Sequence, residues 1–238
     1  MTNHIFIGGC GHSGTTLLLK ILGLHSQVIH YYENIENEEN SRKIFDKKNE
    51  ECIKIMTRAE NTKTILFKNP SNILYIDEIR KYYKGSKIIL MYRDGRDVAL
   101  SYHRRKSFKS FKECVIYWKD RSELILSYGN DEDIFLLKYE DLIDKKEERI
   151  REILHFLKLK NEDLLEKYND NLLPDELEKP KKEINKIEHR ELRNWQINQS
   201  LYNSSRWEKD LTWWKKKVFY KIAGNMLTAM GYKIKPVR

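Results

Sequence analysis

The sequence has few cysteines and no long apolar run. Its three cysteines, Cys10, Cys52 and Cys114, are odd in number and widely spaced across 238 residues, so they predict neither a disulfide framework nor a paired metal site. No apolar run approaches the roughly 18 residues that a membrane helix requires. Only the short apolar run 5–7 precedes Gly8, which is too little for the core of a signal peptide. These absences predict a soluble, cytoplasmic protein without stable membrane insertion.

Positive charge is in excess, but several causes would explain it. Lys and Arg number 45 against 36 Asp and Glu, which gives a formal net charge of +9. Such an excess fits binding to nucleic acid, to an anionic membrane surface or to a small polyanion, and a generally lysine-rich composition explains it equally well. Because the usual nucleic-acid recognition motifs are missing, we expect no nucleic-acid partner.

The composition is that of a folded domain. Apolar residues make up 40% of the chain and aromatic residues 11%, which is enough for a hydrophobic core. The length favours a single domain over residues 1–238, with charged insertions near residues 34–51 and 171–188. Whether the protein forms a homodimer is left open by the sequence.

Short apolar runs alternate with helical patterns along the chain. Strands are predicted at residues 5–8, 28–32, 64–68, 87–92 and 134–138. Helices are predicted at residues 15–22, 72–83, 98–106, 111–128, 146–157 and 211–230. The alternation predicts an α/β fold with a doubly wound sheet of about five mainly parallel strands flanked by helices. For the last helix, packing on the sheet is favoured over a membrane-surface position.

The first predicted strand runs into the segment GGCGHSGTT, residues 8–16, and then into an apolar helix. A strand, a glycine-rich turn and a helix in this order direct backbone N–H groups at an anion. The glycine spacing from Gly9 matches a nucleotide triphosphatase loop, but Thr15 occupies the position at which such enzymes need a lysine. This departure argues against a P-loop kinase, which stays an alternative.

A second candidate anion site follows the fourth predicted strand. The segment RDGRD, residues 93–97, leads into a helix that carries Ser101, Arg104 and Arg105. Cations and a hydroxyl at the carboxyl end of a strand, next to the start of a helix, suit a phosphate group.

Both segments resemble motifs of the sulfotransferases that use 3'-phosphoadenosine 5'-phosphosulfate (PAPS). Residues 5–18 are similar to the family's 5'-phosphosulfate loop, in which a basic residue precedes Ser-Gly-Thr-Thr. The resemblance implies a P-loop-like sulfotransferase fold and a 5'-phosphosulfate held by residues Gly11, Ser13, Gly14, Thr15 and Thr16. His12 stands where the family has Arg or Lys to stabilise the transferring group, and a histidine is only partly cationic at neutral pH.

The same resemblance extends to further nucleotide contacts. Arg93 and Ser101 resemble the pair that grips the 3'-phosphate, and Arg105 matches a further cation of tyrosylprotein sulfotransferases. Tyr139 is similar to a tyrosine that approaches the nucleotide, although a packing role is nearly as well supported. The segment Ser205-Arg206-Trp207 resembles a late cofactor-binding segment with Arg206 as the ligand, and residues 194–204 loosely match a covering loop.

Two residues at strand ends match the family's catalytic groups. Glu33 resembles the base that takes the acceptor proton, and Lys68 resembles the lysine that contacts the bridging oxygen of the donor. With His12 they imply an in-line transfer of a sulfuryl group from PAPS to an acceptor hydroxyl, leaving adenosine 3',5'-bisphosphate and requiring no metal. The loop-to-base spacing is closest to the tyrosylprotein enzymes, which work in a secretory compartment with disulfides. We therefore expect a glycan or small-molecule acceptor and keep tyrosine in peptides as the alternative.

Overall fold

The computed structural model describes residues 3–32, 64–170 and 205–235. It contains a sheet of five strands, β1 Asn3–Gly9, β2 Val28–Tyr32, β3 Thr64–Lys68, β4 Lys87–Tyr92 and β5 Ile134–Lys138. The strand order is β2-β3-β1-β4-β5, and every neighbouring pair is parallel. The predicted doubly wound α/β fold is confirmed, because a parallel sheet with this order needs crossovers on both faces.

Helices cover both faces of the sheet. They are α1 Thr15–Leu22, α2 Ile76–Tyr82, α3 Gly95–Arg104, α4 Phe111–Ser127, α5 Tyr139–Asp144, α6 Lys146–Phe156, α7 Leu164–Asp170, α8 Trp207–Asp210 and α9 Trp213–Ala229. A 3₁₀ helix over Pro70–Tyr75 precedes α2. Among these described residues no helix is both long and apolar enough to cross a membrane.

Alternate residues of the central strand pack into different cores. Phe6 joins the core built with α2, α3, α4 and α9, whereas Ile5 and Ile7 join the core built with α1, α6 and α7. All three side chains are at most 2% exposed. A strand that is buried on both faces in this way cannot tolerate a polar side chain on either face, which is why β1 is a continuous apolar run.

Two predicted helices begin at different residues from those expected, and side-chain caps explain both differences. Residues 72–83 were expected to form one helix, but the Asn69 side chain accepts a hydrogen bond from Ser71 N at 2.9 Å and starts the 3₁₀ helix at Pro70. The helix expected at 98–106 begins at Gly95, because Asp94 Oδ1 accepts from Arg96 N at 2.9 Å. The second cap places residues 95–97 in the first turn of α3.

The last predicted helix begins two residues later than expected. α9 starts at Trp213 rather than at residue 211, and the single turn of α8 lies just before the predicted range. Phe219 is fully buried against the core, whereas Trp213 is 58% exposed. The middle of this helix packs mainly on α4 and α3, which cover one face of the sheet, so the expectation that it packs on the sheet is met only through these helices, and its first turn is exposed. The charged insertions near 34–51 and 171–188 lie outside the described residues.

Candidate active site

The glycine loop, residues 8–16, connects β1 to α1 by a path that crosses the end of β4. Gly9 has a φ of 123°, and a Cβ at this position would lie 2.1 Å from the carbonyl oxygen of Met91. Cys10 N donates to that same oxygen at 3.1 Å. Any side chain at residue 9 would therefore break the contact that holds the loop to β4.

The loop ends at the N-terminus of α1, which has neither a side-chain cap nor an acidic residue in its first turn. Gly14 is the N-cap with a φ of 89°, and a Cβ there would approach the Tyr139 ring to 2.6 Å. The first N–H groups of a helix have no partner within the helix, and the helix dipole favours an anion next to them. The end of the loop thus has the geometry of a phosphate site.

The loop forms one wall of a cavity of about 230 Å³. Its lining contains eleven residues that the sequence predicted for the site: Gly11, His12, Gly14, Thr15, Thr16, Lys68, Arg93, Ser101, Arg105, Tyr139 and Arg206. These residues come from the ends of β3 and β4, from the glycine loop, from α3 and α5, and from the residue before α8. The structure therefore brings both candidate anion sites to a single cavity.

The order of the strands explains why these residues meet. β1 pairs with β3 on one side and with β4 on the other. Lys68 is the last residue of β3 and Arg93 directly follows β4. Since parallel strands point their carboxyl ends to the same edge, the glycine loop lies between the two cations.

Arg93 is buried and is held on two sides. Its guanidinium carbon lies 4.2 Å from the centroid of the Tyr139 ring, and its Nη2 lies 3.4 Å from Asp97 Oδ2. Its Nε is buried and has no hydrogen-bond partner within the described residues. Tyr139 both packs on Arg93 and lines the cavity, so its two expected roles are compatible.

Arg206 is one of three arginines that line the cavity among the described residues, with Arg93 and Arg105. Desolvation, and then the nearby charge of Arg93, lower the pKa of the Arg206 guanidinium. Arg206 stays cationic, because the pKa of a guanidinium lies far above neutrality. Arg93 is buried whereas Arg206 is exposed to solvent, and two like charges close together favour binding of an anion between them. The residues present thus fit a ligand with phosphate groups.

Tyr102 lines the cavity and was not predicted. Its ring makes an edge contact with the His12 ring, at a centroid distance of 4.3 Å. A Cβ added to Gly11 would lie only 1.9 Å from the Tyr102 hydroxyl oxygen, so a side chain at residue 11 would collide with it. His12 itself has a φ of 62°, in the left-handed region. Tyr102 follows Ser101 on α3, but no spacing in the sequence connects it to the glycine loop.

Three predicted site residues do not line the cavity, and one is outside the described part. Ser13 is buried next to the loop residues that do line it. Ser205 and Trp207 flank Arg206 without lining the cavity, and Trp207 packs under Arg96, whose guanidinium carbon lies 3.6 Å from the ring centroid. Glu33 lies outside the described residues.

A sequence model of the sulfotransferase family matches residues 30–163, more than half of the chain. The chain belongs to the sulfotransferase family. The matched region includes Lys68, Arg93, Ser101 and Tyr139 and lies after the glycine loop. The predicted membership is thereby confirmed.

Relatives and solved structures are similar to this chain over different lengths. A Caenorhabditis briggsae protein named "Putative protein-tyrosine sulfotransferase" is 29% identical over 182 residues, which are 65% of this chain and 65% of that protein. The match thus spans just under two thirds of the curated relative. The sulfotransferase domain of the Synechococcus PCC 7002 olefin synthase has a TM-score of 0.65 and 16% identity, covering 98% of this chain and 96% of the other. Mouse sulfotransferase SULT7A1 complexed with PAP has a TM-score of 0.59 and 14% identity, covering 96% and 88%. The two structures share the fold.

We predict that Gly14→Ala destabilises the protein more than Gly85→Ala does. Both glycines have a positive φ, 89° and 76°, so an alanine strains the backbone at either position. Only at Gly14 would the new Cβ also meet the Tyr139 ring, since Gly85 has no atom within 4 Å of that position. We expect an additional loss of about 1–2 kcal/mol in the free energy of unfolding for Gly14→Ala, measured by urea denaturation. Equal losses in the two variants would show that Tyr139 does not pack against the loop.

Proposed function

We propose that this protein transfers a sulfuryl group from PAPS to an acceptor hydroxyl. The observation that carries the proposal is the single cavity that joins the glycine loop to Arg93, Ser101 and Arg206. A donor with one phosphosulfate and one separate phosphate needs two anion sites at a fixed distance, and the residues proposed for both sites line this one cavity. The family membership and the PAP bound to the mouse enzyme of the same fold support this assignment.

The proposed reaction is an in-line displacement at sulfur. The acceptor oxygen forms a bond to sulfur, the bond from sulfur to the bridging phosphate oxygen breaks, and the acceptor proton passes to a base. The leaving phosphate gains negative charge, so positive groups near the bridging oxygen lower the barrier. Lys68, which is 5% exposed and ends β3 beside the loop, is suited to this task. N–H groups of residues 13–16 would hold the 5'-phosphosulfate.

Two further residues have proposed catalytic roles. His12 lies in the cavity wall where the transferring group would be, and in its protonated form it would stabilise that group. Glu33 directly follows the end of β2, the strand next to β3, and is proposed as the base for the acceptor proton. Thr15 in place of a lysine disfavours a kinase, whose more highly charged phosphoryl group needs that lysine.

We further propose that the acceptor is a hydroxyl of a glycan or a small molecule. Of the described cysteines, Cys10 and Cys114 are both buried free thiols, and burial raises the pKa of Cys10 to about 12. Unpaired thiols suit a reducing compartment such as the cytoplasm. The tyrosylprotein enzymes work instead in a secretory compartment with disulfides, so the thiols favour the other acceptors. Tyrosine in peptides is the second candidate, which the C. briggsae relative favours by its name.

Nucleotide binding tests the donor. We expect adenosine 3',5'-bisphosphate to raise the melting temperature equally with and without Mg²⁺, since a ligand that binds only the folded state stabilises it. ATP with Mg²⁺ should give little or no shift. Thermal melting with each ligand, with EDTA as the metal-free condition, measures this. Stabilisation by ATP that depends on Mg²⁺, together with no response to the bisphosphate, would favour the kinase alternative.

Substitution of the proposed catalytic groups tests their roles. We expect Lys68→Ala to lower kcat about 10²–10³-fold, because it removes the positive charge that stabilises the negative leaving phosphate. We expect Glu33→Ala to lower kcat about 10²–10⁴-fold, because it removes the base. Turnover is measured with labelled PAPS. Lys87→Ala, at the start of β4 and thus at the opposite edge of the sheet, is the control and should keep wild-type turnover. Wild-type turnover in folded Lys68→Ala and Glu33→Ala proteins would refute these roles.

An acceptor screen separates the two substrate classes. We expect label from PAPS to pass to saccharides or small hydroxylated molecules, and not to a tyrosine-containing peptide. The matched control is the same peptide with phenylalanine in place of tyrosine, which lacks the accepting hydroxyl. Label that appears on the tyrosine peptide and is absent from its phenylalanine counterpart would establish the second candidate instead.

A further inference from the structure

Asp97 is a buried carboxylate that joins two distant parts of the chain. It lies in the first turn of α3 and is 1% exposed. Its Oδ1 accepts a hydrogen bond from Trp207 N at 2.9 Å, and its Oδ2 accepts one from Ser205 N at 3.1 Å. The two backbone groups that it holds are those on either side of Arg206. Asp97 therefore fixes the backbone from which Arg206 extends into the cavity.

The same carboxylate also contacts Arg93, another of the arginines that line the cavity. Asp97 Oδ2 lies 3.4 Å from Arg93 Nη2. One side chain thus has polar contacts with Arg93 and with both neighbours of Arg206, although these segments are separated by more than 100 residues. The cavity lining includes Arg93 and Arg206 but not Asp97, so the carboxylate acts from behind the wall.

The backbone beside Arg206 has an unfavourable conformation that the hydrogen bonds to Asp97 help to hold. Ser205 has a φ of 72°, in the left-handed region that is unfavourable for a residue with a side chain. The helix that follows, α8, has only four residues and no side-chain cap. Trp207 is anchored separately, because its ring packs under Arg96, which Asp94 Oδ2 binds through Nη2 at 2.7 Å. Of the two aspartates in segment 93–97, Asp94 thus anchors the tryptophan through Arg96, and Asp97 anchors the backbone.

We propose that Asp97 is a positioning residue that sets Arg93 and Arg206 side by side, so that both arginines bind the same phosphate group of the nucleotide. This inference rests on the proposed function, because it takes the ligand to be the doubly phosphorylated adenosine. In the absence of ligand, the single negative charge of Asp97 offsets part of the repulsion between the two guanidinium groups. A bound phosphate would supply the remaining negative charge.

The role requires the ionised carboxylate. Both oxygens of Asp97 face hydrogen-bond donors, namely two backbone N–H groups and one guanidinium. Burial raises the pKa of Asp97 overall, and the charge of Asp94 adds to this rise, whereas the charge of Arg93 and the hydrogen bond from Trp207 N favour the ionised form. An asparagine has the same shape, but its NH₂ group would face a donor at whichever of the two oxygen positions it occupied. Asp97→Asn should therefore displace the Arg206 segment, Arg93 or both.

The test compares two nucleotides that differ by one phosphate. Binding of adenosine 3',5'-bisphosphate and of adenosine 5'-monophosphate is measured by titration calorimetry for the wild type, Asp97→Asn, Arg206→Ala and the double variant. We expect Asp97→Asn to weaken binding of the bisphosphate at least tenfold and to change binding of the monophosphate less than twofold. In the Arg206→Ala background, Asp97→Asn should add a smaller loss than it causes alone, because part of its effect acts through Arg206.

Asp210→Asn is the matched control. Asp210 also links α8 to α3, through Arg104 Nη2 at 3.1 Å, but this pair is partly exposed and holds neither backbone group beside Arg206. The control variant should bind the bisphosphate as the wild type does. Circular dichroism and thermal melting without ligand report whether each variant folds.

The outcomes separate this inference from the proposed function. If the wild type does not bind the bisphosphate, the proposed function is wrong. If the wild type binds it and folded Asp97→Asn binds it equally well, or loses both nucleotides in equal measure, the positioning role is wrong. Should Asp97→Asn fail to fold, Arg206→Ala decides: an unchanged preference for the bisphosphate over the monophosphate would show that Arg206 holds no phosphate and would overturn the inference.

Discussion

Three neighbouring parallel strands end at the same edge of the sheet, and the residues at and just after their ends concentrate positive charge there. β1 lies between β3 and β4, and neighbouring strands are about 4.8 Å apart. The loop that follows β1 is therefore flanked at short range by Lys68 from β3 and Arg93 from β4. The apolar cores on the two faces fix these strands, so the backbone positions from which the two cationic side chains extend are fixed relative to the loop.

Such a site is electrostatically incomplete without an anion. Desolvated cations are unfavourable unless opposite charges or hydrogen-bond acceptors accompany them. Asp97 and the face of the Tyr139 ring accompany Arg93, but Arg206 adds a further positive charge, and the first turn of α1 adds the positive end of a helix dipole. A polyanionic nucleotide removes this imbalance. The same physics would allow the proposed doubly phosphorylated ligand to bind without the lysine of a nucleotide triphosphatase loop.

The sequence predicted those elements whose signal lies within a short stretch of neighbouring residues. The bounds of β2, β3, β4 and β5 and of α1 agree with prediction, because each is an apolar run or an amphipathic segment bounded by turns. The glycine loop could be located because its glycines, among them Gly9 and Gly14, are required by backbone conformation and close packing. Lys68 and Arg93 could be placed near it because the carboxyl ends of parallel strands share one edge.

What the sequence did not reveal depends on side-chain contacts between distant residues. The caps at Asn69 and Asp94 moved the starts of two helices, since a cap competes with the apolar periodicity that locates a helix. Tyr102 reaches the glycine loop only because α3 packs beside it. The hydrogen bonds from Asp97 to the backbone around Arg206 have no periodic or compositional signal at all. The position of Glu33 remains a prediction, as it lies outside the described residues.

The most direct measurement is a crystal structure of the protein saturated with adenosine 3',5'-bisphosphate. The account predicts one nucleotide in the cavity, with the 5'-phosphate bound by N–H groups of residues 13–16 and the 3'-phosphate bound by Arg93, Ser101 and Arg206. Electron density that places the two phosphates in separate cavities, or that leaves the glycine loop and Arg93 without ligand at saturation, would contradict it.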